Sequence, residues 1–269
     1  MLRAKLSVVR AVALGMVTVV LAACSTTPVD KTAGMSPNQL YAEAKDEMAN
    51  SQWDKAIPYL EKLEARAAGT PLAQQAQLDK AYAHFRSQEP AQALATLDRF
   101  IRLHPASPAL DYAMYLKGLI NFNDDLGMFS SLTRQDLSER DQKAAKESFE
   151  SFRELVTRFP ESRYAEEARQ RMNYIVGSLA QYEVHVARYY YKRGAYLAAV
   201  NRAQAALTEY RDVPALEEAL FIIYKSYDAM GLTQLRDDAR RVLESSYPNS
   251  EFLTRGEKSD RKDPWWKVW

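Results

Sequence analysis

The sequence predicts an all-α fold, a superhelical array of five helix pairs, and three observations lead to this prediction. From Ser36 onward, apolar residues recur at the spacing of one helix face, and alternating β-branched runs are few. Proline recurs between the helical segments, where it stops a helix. Three segments also end alike, with an apolar stretch, a proline and a small polar pair, at 100–107, 155–162 and 243–250. Self-similarity of this kind is typical of a repeat fold.

The elements can be assigned in chain order. Ser36 and Pro37 predict the start of the first helix, with the serine as N-cap and the proline in the first turn. Pro58 falls inside the next helical segment, so this helix is expected to begin near Asp54 or to bend at the proline. The five repeats are predicted at about 37–70, 74–107, 110–162, 178–213 and 216–250.

Small residues recur where the two helices of a pair must touch. These residues are Ala44 with Ala56, Ala81 with Ala93, and Gly118 with Ser148. In the first two pairs the small residues are 12 positions apart, and a leucine follows four positions after the second. This spacing resembles the tetratricopeptide repeat (TPR), a helix–turn–helix unit of about 34 residues. The resemblance implies a stack of helix pairs with a surface suited to extended peptides or partner domains.

The third repeat is too long for a single TPR unit. Its excess lies at about 123–141, between the two helices, and is rich in polar residues. Insertions of this length in a compact domain are usually functional or disordered. We therefore expect an inserted loop within the repeat domain, which as a whole is predicted to span 37–251.

The N-terminus has the features of a secretion signal. Arg3, Lys5 and Arg10 precede an apolar run at 11–23, which is too short to span a bilayer comfortably. The run ends in small residues directly before Cys24, the arrangement of the bacterial lipobox. Residues 1–23 are therefore predicted to be a removed signal peptide, and Cys24 to carry a diacylglycerol and an N-acyl chain. A chance cysteine after an ordinary signal peptide is the alternative.

Two further segments flank the repeat domain. Residues 24–36 are small, polar and contain proline and glycine, which predicts a flexible tether. Residues 252–269 form a tail with Trp265, Trp266 and Trp269. Three tryptophans within five residues are unusual for an inert tail, so this tail is expected to dock on protein. Docking at the membrane interface is the alternative.

Composition excludes several classes of function. The only cysteine is Cys24, and the three histidines lack the spacing of metal ligands, so no metal site is expected. No motif brings serine, histidine and acidic residues together as an enzyme would need, and no cofactor other than the lipid is expected. Removal of 1–23 leaves 33 basic and 35 acidic residues, a net charge of −2. This charge argues against nucleic-acid binding.

Two conspicuous runs are interpreted as structural. Residues 189–193 combine three tyrosines with two basic residues, but at helical spacing the tyrosines point in three directions, so at least one should be buried. The charged segment 134–171 is interpreted as a solvated helix face. In that face Glu154 and Arg158, and Glu167 and Arg171, have the spacing of helical ion pairs.

The lipobox, the five helix pairs and several local strings together resemble the BamD (ComL) family of outer-membrane assembly lipoproteins. The strings lie at 97–103, 111–119, 136–141, 182–190 and 194–202, and the resemblance covers 24–250. The sequence departs from the family pattern at 66–71, where an aromatic–proline ending is more common, and in its tail.

The resemblance implies a non-enzymatic subunit of the machinery that inserts β-barrel proteins into the outer membrane, lipid-anchored on the periplasmic face. It also implies partners. These are the periplasmic domains of the barrel subunit BamA, the accessory Bam lipoproteins, and unfolded outer-membrane proteins whose C-terminal strand the N-terminal repeats receive. A periplasmic TPR lipoprotein that coordinates cell-wall synthesis enzymes is the alternative function.

The TPR register predicts which side chains face a peptide-binding groove. These positions are Tyr41, Lys45, Met48, Tyr82, Phe85, Arg86, Tyr115 and Phe122. Because barrel strands end in an aromatic residue with a free carboxylate, aromatic side chains offer contact area, and Lys45 and Arg86 are expected to pair with the carboxylate. The alternative is that Tyr82, Tyr115 and Phe122 only pack between repeats.

Arg202 is the predicted partner-binding residue. It lies in the string 194–202, and the family resemblance implies an ion pair between this arginine and BamA. Such a pair orients two partners, and its loss is costly where it is buried. A solvated helix face is the alternative.

Overall fold

A computed structural model of the chain describes residues 32–122 and 142–255, and every regular element in these ranges is an α-helix. The all-α prediction is confirmed there. The helices are α1 Pro37–Ala49, α2 Trp53–Arg66, α3 Pro71–Arg86, α4 Pro90–Leu103, α5 Leu110–Phe122, α6 Gln142–Arg158, α7 Ala165–Lys192, α8 Tyr196–Glu209, α9 Ala215–Ala229, α10 Thr233–Ser246 and α11 Glu251–Arg255. The predicted signal peptide, Cys24, the insertion at 123–141 and residues 256–269 of the tail lie outside the described ranges. No helix within those ranges is long and apolar enough to cross a membrane.

The chain divides into two units, and the boundary between Ala76 and Gln77 falls within α3. In the first unit, α1 packs against α2. Ser36 caps α1 as predicted, because its Oγ accepts a hydrogen bond from the Gln39 amide and its own amide donates to Gln39 Oε1 at 2.8 Å. Together these bonds satisfy two backbone donors that a helix start would otherwise leave unpaired.

The core of the first unit is formed by the small and apolar residues that the sequence pattern placed there. Leu40 and Ala44 from α1 are buried against Ala56 and Leu60 from α2. The second helix begins at Trp53, one residue before the predicted start, and Pro58 lies inside it. Proline has no amide hydrogen, so one backbone hydrogen bond of this helix is missing at that turn.

The residues before the first helix are held on α2. Lys62 Nζ donates a hydrogen bond to Thr32 Oγ1 at 2.6 Å. Arg66 Nη1 donates to the carbonyls of Thr32 and Met35, at 2.9 and 2.7 Å. The predicted tether at 24–36 therefore ends in a turn that is fixed on α2, while its residues 24–31 lie outside the described ranges.

The second unit runs from the later part of α3 to α11 and shares one large core. Helix α5 packs on α6, α6 on α7, α7 on α8, α8 on α9, and α9 on α10. The predicted small residues lie in these contacts: Ser148 Oγ donates to the Gly118 carbonyl at 2.8 Å. A Cβ built on Gly118 would be only 2.4 Å from the Phe152 ring, so α5 and α6 approach each other more closely than any larger residue allows.

Helix α7 differs from the predicted boundary of the fourth repeat. The sequence places that repeat at 178–213, whereas α7 begins at Ala165 and continues for 28 residues to Lys192. No proline interrupts this stretch, and Gly177 is tolerated within it because its surroundings are open. The fourth pair therefore has a first helix about twice as long as its second.

The C-terminal end of the second unit has a small apolar cluster of its own. Leu220 and Phe221 of α9 and Leu243 of α10 are buried together. The short helix α11 covers them, since the Phe252 ring stacks on Phe221 with their centroids 5.2 Å apart.

Candidate functional site

Half-buried tyrosines of the second unit form what we call the aromatic row: Tyr82 on α3, Tyr112 and Tyr115 on α5, and Tyr164 directly before α7. Tyr115 and Tyr164 stack with centroids 4.5 Å apart and planes inclined by 18°. The centroids of Tyr112 and Tyr164 are 5.7 Å apart. Tyr82 lies in the C-terminal half of α3, Tyr112 and Tyr115 lie in the first half of α5, and Tyr164 directly precedes α7.

Burial and neighbouring charges raise the pKa of two of these tyrosines. The pKa of Tyr112 is raised to about 12, first by burial and then by electrostatic interaction with Asp79, Tyr164 and Tyr82. The pKa of Tyr115 lies well above its ordinary value, first because of burial and then because its hydroxyl donates a hydrogen bond to Glu167. Both hydroxyls therefore remain protonated donors at neutral pH.

Arginine side chains flank the row. Arg86 Nη1 donates to the Tyr82 hydroxyl at 2.9 Å. The Arg163 guanidinium lies 4.7 Å from the centroid of the Tyr164 ring and also donates to its hydroxyl. Cations in this position are attracted to the face of the ring. The row therefore combines half-buried aromatic rings with neighbouring positive charge.

Glu167 on α7 links the aromatic row to Arg171 on the same helix. Its carboxylate accepts a hydrogen bond from Tyr115 and pairs with Arg171 at 2.9 Å. Tyr115 and Arg171 both lower its pKa, Tyr115 more strongly. Arg171 in turn lies 4.7 Å from the centroid of the Phe122 ring. The predicted helical pairs Glu167–Arg171 and Glu154–Arg158 are confirmed, the latter with 2.8 Å between its charged atoms.

Five of the predicted groove residues lie in the second unit, and two of them are members of the aromatic row. Tyr82 and Tyr115 belong to the row, Arg86 is bonded to Tyr82, and Phe85 packs against the core. Phe122 is buried, with its ring centroid 6.5 Å from that of Phe152, so the prediction that it faces a groove is wrong.

The other predicted groove residues lie on α1 in the first unit. Tyr41 is half-buried and Lys45 is exposed there. Met48 is only 8% exposed, so it is a core residue and not a groove residue as predicted. It follows Ala44 by four positions and therefore shares its buried helix face.

Sequence reasoning missed Tyr112, Tyr164 and Arg163. Tyr112 could have been found, because it lies three positions before Tyr115 and so shares its helix face. Tyr164 gave no such signal, because it directly precedes α7 and meets Tyr115, 49 positions earlier, only in the folded chain.

Arg202 lies on α8 and pairs within the chain. Its guanidinium is 3.0 Å from Glu183 Oε2 on α7, and Glu183 raises its pKa. The side chain of Glu183 is 11% exposed, whereas that of Arg202 is 46% exposed. A second pair nearby, Arg188 with Glu218, joins α7 to α9. The pairing of Arg202 supports the packing of α8 on α7 and leaves half of its side chain accessible.

The run at 189–193 behaves as the sequence suggested. Tyr190 and Tyr191 pack against the core, while Tyr189 is 52% exposed and lies under Arg193. Among the described residues, no group of histidine, cysteine and acidic side chains is arranged to hold a metal ion.

The described helices and the aromatic row together define a helical-repeat protein built from packed helix pairs. The model of the family described as outer membrane lipoprotein (YfiO) matches residues 33–243, and the chain belongs to this family. The family resemblance predicted from the local strings is thereby confirmed.

Individual relatives carry one common name, outer membrane protein assembly factor BamD. The chain is 46% identical to that of Neisseria meningitidis serogroup A, over 93% of this chain and 95% of the relative. It is 34% identical to that of Vibrio cholerae serotype O1, over 82% and 91% of the two chains. It is also 34% identical to that of Xylella fastidiosa strain Temecula1, over 84% and 76%.

One solved structure is also similar, a Podosopora anserina chain described as a kinesin light chain with nearly identical TPR-like repeats. The TM-score is 0.35 and the sequence identity 14%, over 80% of this chain and 99% of the other.

Proposed function

We propose that this protein is an outer-membrane protein assembly factor, a subunit of the Bam complex that acts by binding and catalyses no reaction itself. The observation that carries the proposal is the 46% identity to a BamD protein over nearly the full length of both chains. We propose further that it is anchored on the periplasmic face of the outer membrane through acyl chains on Cys24.

The finer proposal is that the aromatic row receives the C-terminal segment of unfolded outer-membrane proteins. The row supports this role because the half-buried rings of Tyr115 and Tyr164 lie together, while Arg86 and Arg163 place positive charge beside the tyrosines. A segment that ends in an aromatic residue and a carboxylate needs both kinds of contact. In the first unit, Lys45 on α1 is proposed to pair with acidic groups of the same substrates.

The test is photo-crosslinking of peptides that end in phenylalanine, with either a free carboxylate or an amide at the C-terminus. Lys45→Glu and Arg86→Glu, singly and together, are expected to lower the crosslinking of the free-acid peptide more than that of the amide. The reason is that an arginine or lysine that pairs with the carboxylate gains nothing from the amide. Arg241→Glu, a charge reversal at an arginine of α10 that is also exposed, is the control and should change the crosslinking of neither peptide.

Normal crosslinking of the free-acid peptide to the double variant would contradict the carboxylate contact. The function as a whole would be contradicted separately, if the native protein co-purified with a murein synthase and not with a membrane β-barrel.

Arg202 is proposed to contact the barrel subunit BamA, and the test must separate this contact from the pair with Glu183. Replacing Arg202 alone leaves a carboxylate that is 11% exposed without its cation, which disturbs α7 and α8. We therefore compare Glu183→Gln with Glu183→Gln/Arg202→Gln. The single variant is expected to co-purify with BamA and the double variant to lose it. Equal recovery of BamA with both variants would show that Arg202 does not contribute to BamA binding and only pairs with Glu183.

A further inference from the structure

An open cavity of about 590 Å³ lies at the C-terminal end of the second unit, well within the range of about 300–1,000 Å³ that ligand sites occupy. It is formed by the end of α8, the loop between α8 and α9, and the end of α10. Its apolar and aromatic lining consists of Leu207, Tyr210, Val213, Pro214, Leu216 and Tyr247. Such a lining suits an aromatic side chain, which fills a large volume at low entropic cost.

Helix α11 brings the end of the chain to this cavity. Leu253 of α11 packs against the cluster that also contacts Leu207 and Tyr247, two of the lining residues. From Arg255 the sequence continues for 14 residues, and Trp265 follows ten positions later. Ten residues span up to about 35 Å when extended, so the tryptophans can reach a cavity that adjoins α11.

Charge around the cavity also fits the tail. Asp212 lies in its wall, and the pKa of Tyr247 is raised first by burial and then by the negative charges of Glu217 and Asp212. Arg211 lies in the same wall and offsets part of this negative charge. In the segment 261–269, Arg261, Lys262 and Asp263 precede the tryptophans, and Lys267 lies between Trp266 and Trp269.

We propose that this cavity is the docking site for the tryptophan-rich end of the same chain, residues 264–269. A tryptophan side chain fills the apolar lining, and the neighbouring basic residues face Asp212 and Glu217. The docked segment covers the end of the last helix pairs, where α10 has no further pair to pack against within the described residues. This proposal is independent of the proposed function, since it concerns only contacts within the chain.

The test places p-benzoylphenylalanine at position 265 of the full, membrane-anchored chain and identifies the crosslinked peptides by mass spectrometry. The expected result is an intrachain crosslink to 207–216 or 246–247. Val213→Glu puts a charge into the lining and is expected to abolish this crosslink. Leu197→Glu is the matched control, because Leu197 is a 65% exposed apolar residue of α8 outside the cavity, and it should leave the crosslink intact.

Several results would overturn the proposal. Crosslinks from position 265 to lipid or to a different protein would contradict it. Crosslinks between labelled and unlabelled copies, in a mixture of isotopically labelled and unlabelled chains, would contradict it as well. An unchanged crosslink in Val213→Glu would also do so.

A second measurement does not depend on the folding of the Val213 variant. Replacing Trp265, Trp266 and Trp269 by alanine leaves the body of the protein intact. Amide hydrogen exchange in the loop 210–214 is expected to become faster, because the loop loses its cover. Unchanged exchange in that loop would contradict the docking.

Discussion

At the scale of single residues, the aromatic row depends on one hydrogen bond between helices. The Tyr115 hydroxyl on α5 donates to Glu167 on α7, and this bond is the main reason why the pKa of Glu167 is lowered. A carboxyl group whose pKa is lower in the folded state than in the unfolded state stabilises the fold above its ordinary pKa of 4.5. This contribution is lost as the pH falls through the folded-state pKa.

We expect Tyr115→Phe to weaken the fold at pH 7 and to reduce its sensitivity to acid. The lost hydrogen bond costs about 1 kcal/mol at neutral pH. Because the pKa of Glu167 then lies closer to its ordinary value, the free energy of unfolding should fall less between about pH 5 and pH 3 than in the wild type. Urea unfolding at several pH values measures both effects. Tyr174→Phe, at a 51% exposed tyrosine of α7, is the control. If the free energy of unfolding of Tyr115→Phe changed with pH in the same way as that of the wild type, the hydrogen bond from Tyr115 would not be the cause of the lowered pKa of Glu167.

At the scale of the elements, small residues decide how closely two helices can pack. Gly118 on α5 lies against the Phe152 ring of α6, and Ser148 bonds to the glycine carbonyl across the same contact. The sequence spacing indicated that Gly118 and Ser148 touch, but it did not identify Phe152 as the side chain that fills the space. Because cores are packed to the density of organic crystals, an added methyl group here has no room.

Gly118→Ala is therefore expected to destabilise the second unit by about 1–3 kcal/mol, in spite of the better helix propensity of alanine. Thermal unfolding followed by circular dichroism measures this loss. Gly177→Ala on α7 is the matched control, because no atom lies within 4 Å of the added Cβ. There alanine should raise stability by about 0.5–1 kcal/mol. If the two variants unfolded at the same temperature, the close contact with Phe152 would be ruled out.

At the scale of the whole molecule, the N-terminal turn limits the distance along the chain between Cys24 and α2. Lys62 and Arg66 hold residues 32–35 on α2. Eight residue steps separate Cys24 from Thr32, which span at most about 27 Å. Release of the turn would lengthen this connection by about 14 Å, because four more residues would become free.

We expect Arg66→Ala to release this turn, because the arginine accounts for both hydrogen bonds to its backbone carbonyls. The measurement is amide exchange at Met35, whose amide donates to the Thr32 carbonyl at 3.1 Å. Exchange at Met35 should become markedly faster. Lys55→Ala, at an exposed residue of the same helix, should leave it unchanged. If amide exchange at Met35 stayed slow in the Arg66→Ala variant, the turn would be stable without the hydrogen bonds from Arg66, and the prediction would be wrong.

The sequence by itself determined the helical class, the cap at Ser36, the small contact residues such as Gly118, and the family. These features depend on local spacing and on residues close in the chain, which can be read without knowing the packing. Only the tertiary structure decided which aromatic residues meet. Tyr164 stacks on Tyr115, Arg202 pairs with Glu183, and Met48 and Phe122 are buried. The position of a residue on its helix determines which face its side chain lies on. Which side chain it contacts depends on how the other helices pack, and that packing depends on residues throughout the core.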